Sequence, residues 1–257
     1  MTIDSTPGVP SLTIEGPIAT IRLNRPDVHN RIEPVDLLVL SDMLHRIEDD
    51  RTVLTVVITA AGKSFSSGFH IGKIKGDETS ADASFANVAT QLEALRQPTI
   101  CALNGGVYGG STDLALACDF RIGVTGMAMF MPAARLGLHY YPSGMQRYVS
   151  RLGLNAAKQL FLTAEKLGAE ELLHIGFLTE LVAPDALAAR VAALAATLAS
   201  HAPLAVQGMK AALNAVARGD MDHEEVEARA REARRSQDLQ EGKAAWLEKR
   251  APLFIGR

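Results

Sequence analysis

Residues 99–124 have the sequence TICALNGGVYGGSTDLALACDFRIGV, which contains the signals of a strand, a turn, a helix and a second strand. The apolar run 99–103 predicts a buried strand, and Asn104-Gly105-Gly106 ends it. Residues 110–117 predict the start of a helix, and residues 120–124 predict another strand. This order is typical of a layered α/β core with a mostly parallel sheet.

The chain before this stretch continues the alternation of strands and helices. Residues 12–23 alternate apolar and polar side chains around Gly16-Pro17, which predicts a hairpin. Residues 34–50 and 84–95 have helical spacing, and residues 54–59 predict a strand that is covered on both faces. Between these elements, residues 60–76 are rich in glycine and serine and predict a long functional loop.

After residue 124 the sequence becomes mainly helical. Helices are predicted over residues 144–152, 156–161 and 169–175, with a short strand over 177–182. From residue 185 onward the chain predicts helix almost throughout, with breaks at Pro203, Gly219 and Gly242. We therefore divide the chain into an α/β core, residues 1–199, and a C-terminal helical region, residues 200–257.

Composition excludes several classes of function. The 257 residues include 26 Lys and Arg against 29 Asp and Glu, and this slightly acidic balance argues against nucleic acid as the main partner. A length of this order buries a large core without disulfides or metal, and Cys101 and Cys118 alone cannot make a four-ligand zinc site. The two cysteines fit a reducing compartment, so we expect a cytoplasmic protein. No secretory signal or membrane-spanning segment is visible, so no membrane partner is expected.

Motifs for nucleotides, metals and serine nucleophiles fail on their spacing. Residues 104–110 (NGGVYGG) lack the glycine offsets of a dinucleotide site, and residues 109–113 (GGSTD) lack the final glycine of a nucleophile elbow. His223-Glu224-Glu225 has no second histidine at the metalloprotease spacing. The sequence therefore predicts neither a metal site nor a permanently bound cofactor.

Two glycine-containing segments that follow buried strands are candidates for ligand binding. They are residues 66–69 (SSGF) and Gly109-Gly110, which precedes a predicted helix. Glycine allows a ligand to approach the backbone closely, and a helix N-terminus offers unpaired N–H groups. Two such groups aimed at one point would form an oxyanion hole, whereas two structural turns explain the same residues equally well.

Five collinear segments resemble the crotonase (enoyl-CoA hydratase/isomerase) superfamily. They are residues 21–30 (IRLNRPDVHN), 62–71 (GKSFSSGFHI), 104–119 (NGGVYGGSTDLALACD), 162–178 and 240–257 (QEGKAAWLEKRAPLFIGR). The resemblance implies a spiral core of repeated ββα units with a C-terminal helical trimerisation region. It also implies assembly as a homotrimer or homohexamer.

The resemblance further implies an acyl-CoA thioester as substrate, so that coenzyme A enters as part of the substrate. The oxyanion hole for the thioester oxygen then falls on the backbone N–H groups of Phe69 and Gly110. The backbone of residues 69–73 would contact the adenine end of coenzyme A, and Lys249 or Arg250 would meet its phosphates. The residues implied to bind coenzyme A are Phe69, His70, Ile71, Lys73 and Gly110.

The sequence departs from the hydratases of this family at both of their catalytic glutamates. The first falls on Asp113, whose side chain is shorter by about 1.5 Å, and the second falls on Ala133, which cannot transfer a proton. General acid–base catalysis needs a group within about 3 Å of its target, so the two-carboxylate mechanism is not available in its usual form. Asp113 is explained equally well as a first-turn acid that interacts with the helix dipole.

The loop of residues 136–144 (LGLHYYPSG) can compensate for the missing glutamate. It contains His139, Tyr140 and Tyr141, and a tyrosine hydroxyl can donate a hydrogen bond. Methylmalonyl-CoA decarboxylases of the family have a substrate-binding tyrosine that falls at Tyr140. A packed aromatic pair explains the two tyrosines equally well, and a solvated loop histidine is the simpler interpretation of His139.

These residues together predict an acyl-CoA enzyme of the enoyl-CoA hydratase/isomerase type that stabilises a thioester enolate with non-standard acid–base residues. The alternatives are a decarboxylase of a malonyl-type CoA thioester that uses Tyr140, and a non-catalytic acyl-CoA-binding protein. The predicted catalytic residues are Phe69, Gly110, Asp113 and Tyr140.

Overall fold

The computed structural model describes residues 2–3, 8–73 and 81–257. The chain begins with three antiparallel strands, β1 (Thr2–Ile3), β2 (Ser11–Glu15) and β3 (Ile18–Leu23). β2 and β3 flank Gly16-Pro17, which confirms the predicted hairpin. Helix α1 (Pro34–Asp49) follows, with proline at its first position, where the missing N–H has no intrahelical acceptor.

Three ββα units follow, and each contributes one strand to each of two sheets. The first contains β4 (Thr55–Ala60), β5 (Ser64–Ser66) and α2 (Ala81–Ala94). The second contains β6 (Thr99–Leu103), β7 (Gly106–Tyr108) and α3 (Ser111–Ala117). The third contains β8 (Phe120–Val124), β9 (Ala128–Phe130) and α4 (Pro142–Lys158).

The two sheets give the core its spiral form. After α4, the chain adds β10 (Lys166–Gly168), α5 (Ala169–His174) and β11 (Glu180–Val182). The larger sheet has the order β1-β2-β3-β4-β6-β8-β11, and its strands are parallel from β3 onward. The smaller sheet has the order β10-β9-β7-β5, so successive units add neighbouring strands to both sheets. This arrangement confirms the predicted α/β class and the repeated ββα units.

The smaller sheet differs from the sequence predictions, whereas the helices around residue 153 agree with them. The predicted loop 60–76 contains β5, and none of the four short strands of the smaller sheet was predicted. The two helices predicted over 144–152 and 156–161 are separated as predicted: inside α4, Gly153 has non-helical backbone angles, with a φ of +79°, and this kink divides the element. A π-helical turn, Gln159–Thr163, follows directly.

Four helices complete the chain, namely α6 (Leu187–Ala199), α7 (Pro203–Arg218), α8 (His223–Arg235) and α9 (Gln237–Glu248). The breaks predicted at Pro203 and Gly219 are confirmed, but the break predicted at Gly242 is wrong because Gly242 lies inside α9. The helix breaks at Ser236 instead, whose hydroxyl caps α9 by accepting the N–H of Leu239 at 3.1 Å. An interior glycine costs only about 1 kcal/mol, which the surrounding packing offsets.

Helix α7 joins the C-terminal helices to the core through buried and half-buried polar contacts. Lys210 donates to the carbonyl oxygen of Gln97 at 2.7 Å and lies 2.8 Å from the Asp119 carboxylate. Among the described residues, no single helix is long and apolar enough to cross a bilayer; Pro184–Ala199 and Pro203–Arg218 reach that length only together, with a bend of 106°.

Candidate active site

Two loops that leave neighbouring strands of the smaller sheet approach each other at glycine residues. Gly68 follows β5 and Gly109 follows β7, and β5 and β7 are parallel neighbours. Their φ angles of +90° and +54° lie in the left-handed region that favours glycine. A Cβ atom on Gly68 would lie 2.7 Å from the Tyr108 carbonyl oxygen and 3.4 Å from the Gly109 Cα, so a larger residue cannot fit unless the loops move apart.

Each of these glycines is followed by a residue whose backbone N–H is unpaired among the described residues. The N–H groups of Phe69 and Gly110 donate to no oxygen within residues 8–73 and 81–257. The adjacent N–H groups are paired: His70 donates to the Ile32 carbonyl oxygen, and Gly109 donates to the Phe130 carbonyl oxygen, both at 2.9 Å. Two free donors therefore lie at equivalent positions of successive ββα units.

A buried hydroxyl pair connects the two loops. The Ser111 hydroxyl, at the start of α3, donates to the Ser66 hydroxyl at 2.7 Å. Ser66 in turn donates to the Asn30 carbonyl oxygen at 2.7 Å and accepts the N–H of Gly68 at 3.1 Å. These bonds hold the backbone ahead of Phe69 against the first turn of α3.

A pocket of about 150 Å³ lies between these two loops and the loop that precedes α4. Apolar side chains form most of its wall, including Phe69, Ile71, Phe85, Ala133 and Leu136. Its polar side chains are Ser67, His139, Tyr140 and Tyr141. In the part of the chain that the structure describes, no carboxylate lines this pocket.

Asp113 lies behind the pocket rather than on its wall. Its side chain is fully buried, and its Oδ2 atom accepts hydrogen bonds from the Tyr141 hydroxyl and the Arg147 guanidinium, both at 2.6 Å. Its Oδ1 atom has no donor among the described residues. Burial raises the pKa of Asp113 above its ordinary value, although the charge of Arg147 and both hydrogen bonds oppose the increase.

Arg147, on α4, belongs to a network of four charged side chains, of which Arg147 and Asp113 are buried and Glu93 and Arg151 are half-buried. Its Nε lies 3.2 Å from a Glu93 carboxylate oxygen, and Arg151 lies 3.0 Å from the same oxygen. Burial lowers the pKa of Arg147, but the charges of Asp113 and Glu93 outweigh that effect and raise it above the ordinary arginine value. Two arginines and two carboxylates therefore balance in charge next to the pocket.

The two tyrosines connect the pocket with this network. The Tyr140 hydroxyl donates to the Tyr141 hydroxyl at 3.1 Å, and the two rings stack with their centroids 4.2 Å apart. Gly144 allows this arrangement, because a Cβ atom there would collide with both rings. Burial, together with the nearby Asp113 charge, raises the pKa of both phenols well above 10, so both are protonated at neutral pH.

The predicted site residues divide between the pocket wall and its surroundings. The His70 imidazole pairs with the Glu33 carboxylate at 2.8 Å. Arg250 pairs with Glu241 and Glu248 at the end of α9; the hydrogen bond from Arg250 and that from the Leu253 N–H lower the pKa of Glu241 to about 2. The structure brings to one pocket the predicted residues Phe69, Ile71, Gly110 and Tyr140. It places away from the wall of that pocket the predicted residues His70, Lys73 and Asp113.

Comparisons with known proteins agree with this architecture. Residues 13–257 match the family model described as enoyl-CoA hydratase/isomerase. The chain is 34% identical over 244 residues to a short-chain-enoyl-CoA hydratase from Clostridium acetobutylicum, covering 92% of this chain and 93% of that protein. It is 33% identical over 250 residues to a crotonyl-CoA hydratase from Syntrophomonas wolfei, covering 95% of this chain and 96% of that protein.

The fold agrees with solved structures as well. An enoyl-CoA hydratase/carnithine racemase from Magnetospirillum magneticum superposes with a TM-score of 0.92 at 26% identity, covering 100% of this chain and 97% of that one. An enoyl-CoA hydratase from Bacillus anthracis gives a TM-score of 0.87 at 27% identity, and the match covers 96% of this chain and 99% of that one. The chain therefore belongs to the enoyl-CoA hydratase/isomerase family of enzymes, as the five sequence segments implied.

Proposed function

We propose that the protein acts on an acyl-CoA thioester whose carbonyl oxygen accepts hydrogen bonds from the N–H groups of Phe69 and Gly110. The observation that carries this proposal is the pair of unpaired N–H groups, on loops in contact, beside one mainly apolar pocket. Donors of this kind stabilise the negative charge that develops on the oxygen when a thioester becomes an enolate. Removal of one such donor from an enzyme costs a factor of about 10²–10³ in rate.

The acid–base groups of the pocket limit the reaction that follows. Ala133 lies on the wall, and Asp113 lies behind Tyr141, so neither position supplies a carboxylate in direct contact with a ligand. This arrangement favours reactions that need a single acid–base group, such as double-bond isomerisation, in which one group removes a proton from one carbon and returns it to another, or protonation of an enolate left by decarboxylation. The position of Tyr140 on the wall specifically favours decarboxylation of a malonyl-type thioester as the second candidate.

Incubation with crotonyl-CoA, a 3-enoyl-CoA and methylmalonyl-CoA, followed by mass spectrometry, distinguishes these reactions. We expect turnover of one thioester and a loss of that turnover in Asp113→Asn, which keeps the size of the side chain but removes its charge. Asp220→Asn, a change at an exposed aspartate, serves as the control. Tight binding without turnover would indicate an acyl-CoA-binding protein, and the absence of both would contradict the proposal.

We also infer that residues 69–73 contact coenzyme A and that residues 200–257 form the contacts of a homotrimer or homohexamer. A groove of about 650 Å³, lined by α7, α9 and Phe254, lies in this region. Large apolar side chains are exposed around it, with Trp246 at 85% and Leu247 at 81%. Exposed apolar patches of this kind mark association surfaces.

The assembly is testable with one charged substitution on this surface. We expect Trp246→Glu to shift the mass measured by light scattering from an oligomer to a monomer, because it places a charge in the buried contact. Leu38→Glu changes a residue of α1 with a comparable exposure of 71% and is the matched control. An unchanged mass for Trp246→Glu, or a monomeric wild-type protein, would contradict the inference.

A further inference from the structure

Two phenols form the hydrogen-bonded connection between the pocket and the buried carboxylate. Tyr140 and Tyr141 line the pocket, whereas Asp113 does not. The oxygen-to-oxygen distances are 3.1 Å from Tyr140 to Tyr141 and 2.6 Å from Tyr141 to Asp113. A proton that moves from the Tyr140 hydroxyl to Asp113 along these bonds passes through the Tyr141 hydroxyl.

The direction of the hydrogen bonds between Tyr140, Tyr141 and Asp113 follows from the charge of Asp113. The Arg147 guanidinium contacts the same carboxylate oxygen, and the four-residue network is balanced only when Asp113 is ionised. An ionised carboxylate can only accept, so Tyr141 donates to it and accepts in turn from Tyr140. Tyr140 has then used its only proton, and its oxygen retains free lone pairs. The Tyr140 oxygen, at the end of these hydrogen bonds farther from Asp113, is therefore able to accept a hydrogen bond.

We propose that Tyr140 and Tyr141 relay a proton from the α-carbon of a bound thioester to Asp113, with Tyr140 as the catalytic residue and Asp113 as the terminal base. The α-proton moves to the Tyr140 oxygen, the Tyr140 proton moves to Tyr141, and the Tyr141 proton moves to Asp113 Oδ2. The electron pair of the broken C–H bond remains on the ligand as the enolate. The relay rests on the proposed function, because the enolate oxygen is held by the Phe69 and Gly110 N–H groups.

The charges around the two tyrosines support a concerted transfer of the protons. Burial and the Asp113 charge oppose ionisation of either phenol, so negative charge moves from the carboxylate to the enolate without a stable tyrosinate. Burial also makes Asp113 a stronger proton acceptor than an exposed aspartate. When Asp113 is neutral, Arg147 is still paired with Glu93. Arg147 thus acts as a positioning residue that holds the carboxylate in both states.

Deuterium exchange separates this relay from a structural role of the tyrosines. In D₂O, mass spectrometry measures incorporation of deuterium at the α-carbon of butyryl-CoA, and calorimetry measures its binding. We expect Tyr141→Phe to lower the exchange rate by about a hundredfold or more while the affinity is unchanged, because the ring is kept and the relay is cut.

Tyr148→Phe is the matched control. The Tyr148 hydroxyl forms a hydrogen bond with Thr112 and takes no part in the hydrogen bonds between Tyr140, Tyr141 and Asp113. Its ring packs near Tyr140, with the two centroids 6.3 Å apart. We expect its exchange rate to match that of the wild-type protein.

Equal exchange in Tyr141→Phe and Tyr148→Phe would overturn the relay. So would a wild-type protein that binds butyryl-CoA, and enhances the enolate absorbance of acetoacetyl-CoA, without exchanging the α-proton; that result leaves the proposed function intact. Failure of the wild-type protein to bind either thioester would overturn the proposed function, and the relay with it.

Discussion

Gly68→Ala is expected to lower kcat/KM by about a hundredfold or more for the thioester that the protein converts. The new Cβ atom would lie 2.7 Å from the Tyr108 carbonyl oxygen, a backbone atom that cannot yield as a flexible side chain does. The loops after β5 and β7 must therefore separate, and the Phe69 N–H moves away from the Gly110 N–H. If both donors bind the same oxygen, this displacement weakens the stabilisation of the enolate. Steady-state kinetics with the converted thioester measures the loss.

Gly126→Ala controls for backbone strain in this comparison. Gly126 has a φ of +80°, close to the +90° of Gly68, but it is exposed, and no atom of the described residues that could obstruct a Cβ lies within 4 Å of that position. The left-handed conformation costs an alanine about 1–2 kcal/mol at either position, so both variants lose stability for that reason. We expect only Gly68→Ala to lose activity. Equal kcat/KM values for the two variants would show that the close contact between the loops after β5 and β7 does not contribute to catalysis.

Arg147→Met is expected to have the largest effect on stability. The Arg147 side chain is only 1% exposed and is the buried cation next to Asp113, with Glu93 also at 3.2 Å. Removing one partner of a buried ion pair leaves an uncompensated charge and costs about 3–5 kcal/mol. For a domain of this size the loss lowers Tm by roughly 6–20 °C, measured by calorimetry at matched protein concentration.

The pH dependence of this loss has a definite sign. Without Arg147, Asp113 loses the charge that opposes the effect of burial, so its pKa rises further. The folded variant then binds more protons than the unfolded chain at pH values between the ordinary aspartate pKa and the raised one. Stability of the variant therefore increases as the pH falls from neutral, and the Tm difference from the wild-type protein narrows.

Two variants test the origin of the loss. Arg231→Met makes the same substitution in an exposed pair with Glu227 and should leave Tm almost unchanged. Arg147→Met combined with Asp113→Leu removes the pair together and should recover much of the stability, since an apolar replacement of a buried pair is often neutral. An Arg147→Met protein as stable as the wild-type protein would show that Asp113 is already neutral in the resting state.

Apart from the two-residue strand β1, the larger sheet could be predicted from the sequence, whereas the smaller sheet could not. Strands such as β4 and β6 are five or six residues long and apolar, so their pattern is visible in the chain. Strands β5, β7, β9 and β10 have three residues each, too few to show any periodicity, and the glycine or serine residues of β5, β7 and β10 indicate loops. Only pairing with neighbouring strands makes these segments extended.

The residues of the site could also be predicted only in part from the sequence. The glycines before Phe69 and Gly110 and the tyrosine pair are local signals, and all of them lie at one pocket. The separation of Asp113 from that pocket is a tertiary property, because Tyr141 and Arg147 reach it from an element 28 to 34 residues further along the chain. Glu93 and Arg151 belong to no motif, and only the packing of α2 against α4 shows that they neutralise each other.

The two unpaired N–H groups belong to the main chain, and this has a consequence for how the site can change over time. A substitution that replaces one side chain by another leaves both N–H groups in place, except where it introduces proline or forces the glycine loops apart. The side chains around them, such as Asp113, Ala133 and Tyr140, can be exchanged while the two donors stay in position. A constant pair of donors with a replaceable set of neighbours lets one scaffold acquire a new reaction through a few substitutions, without a new fold.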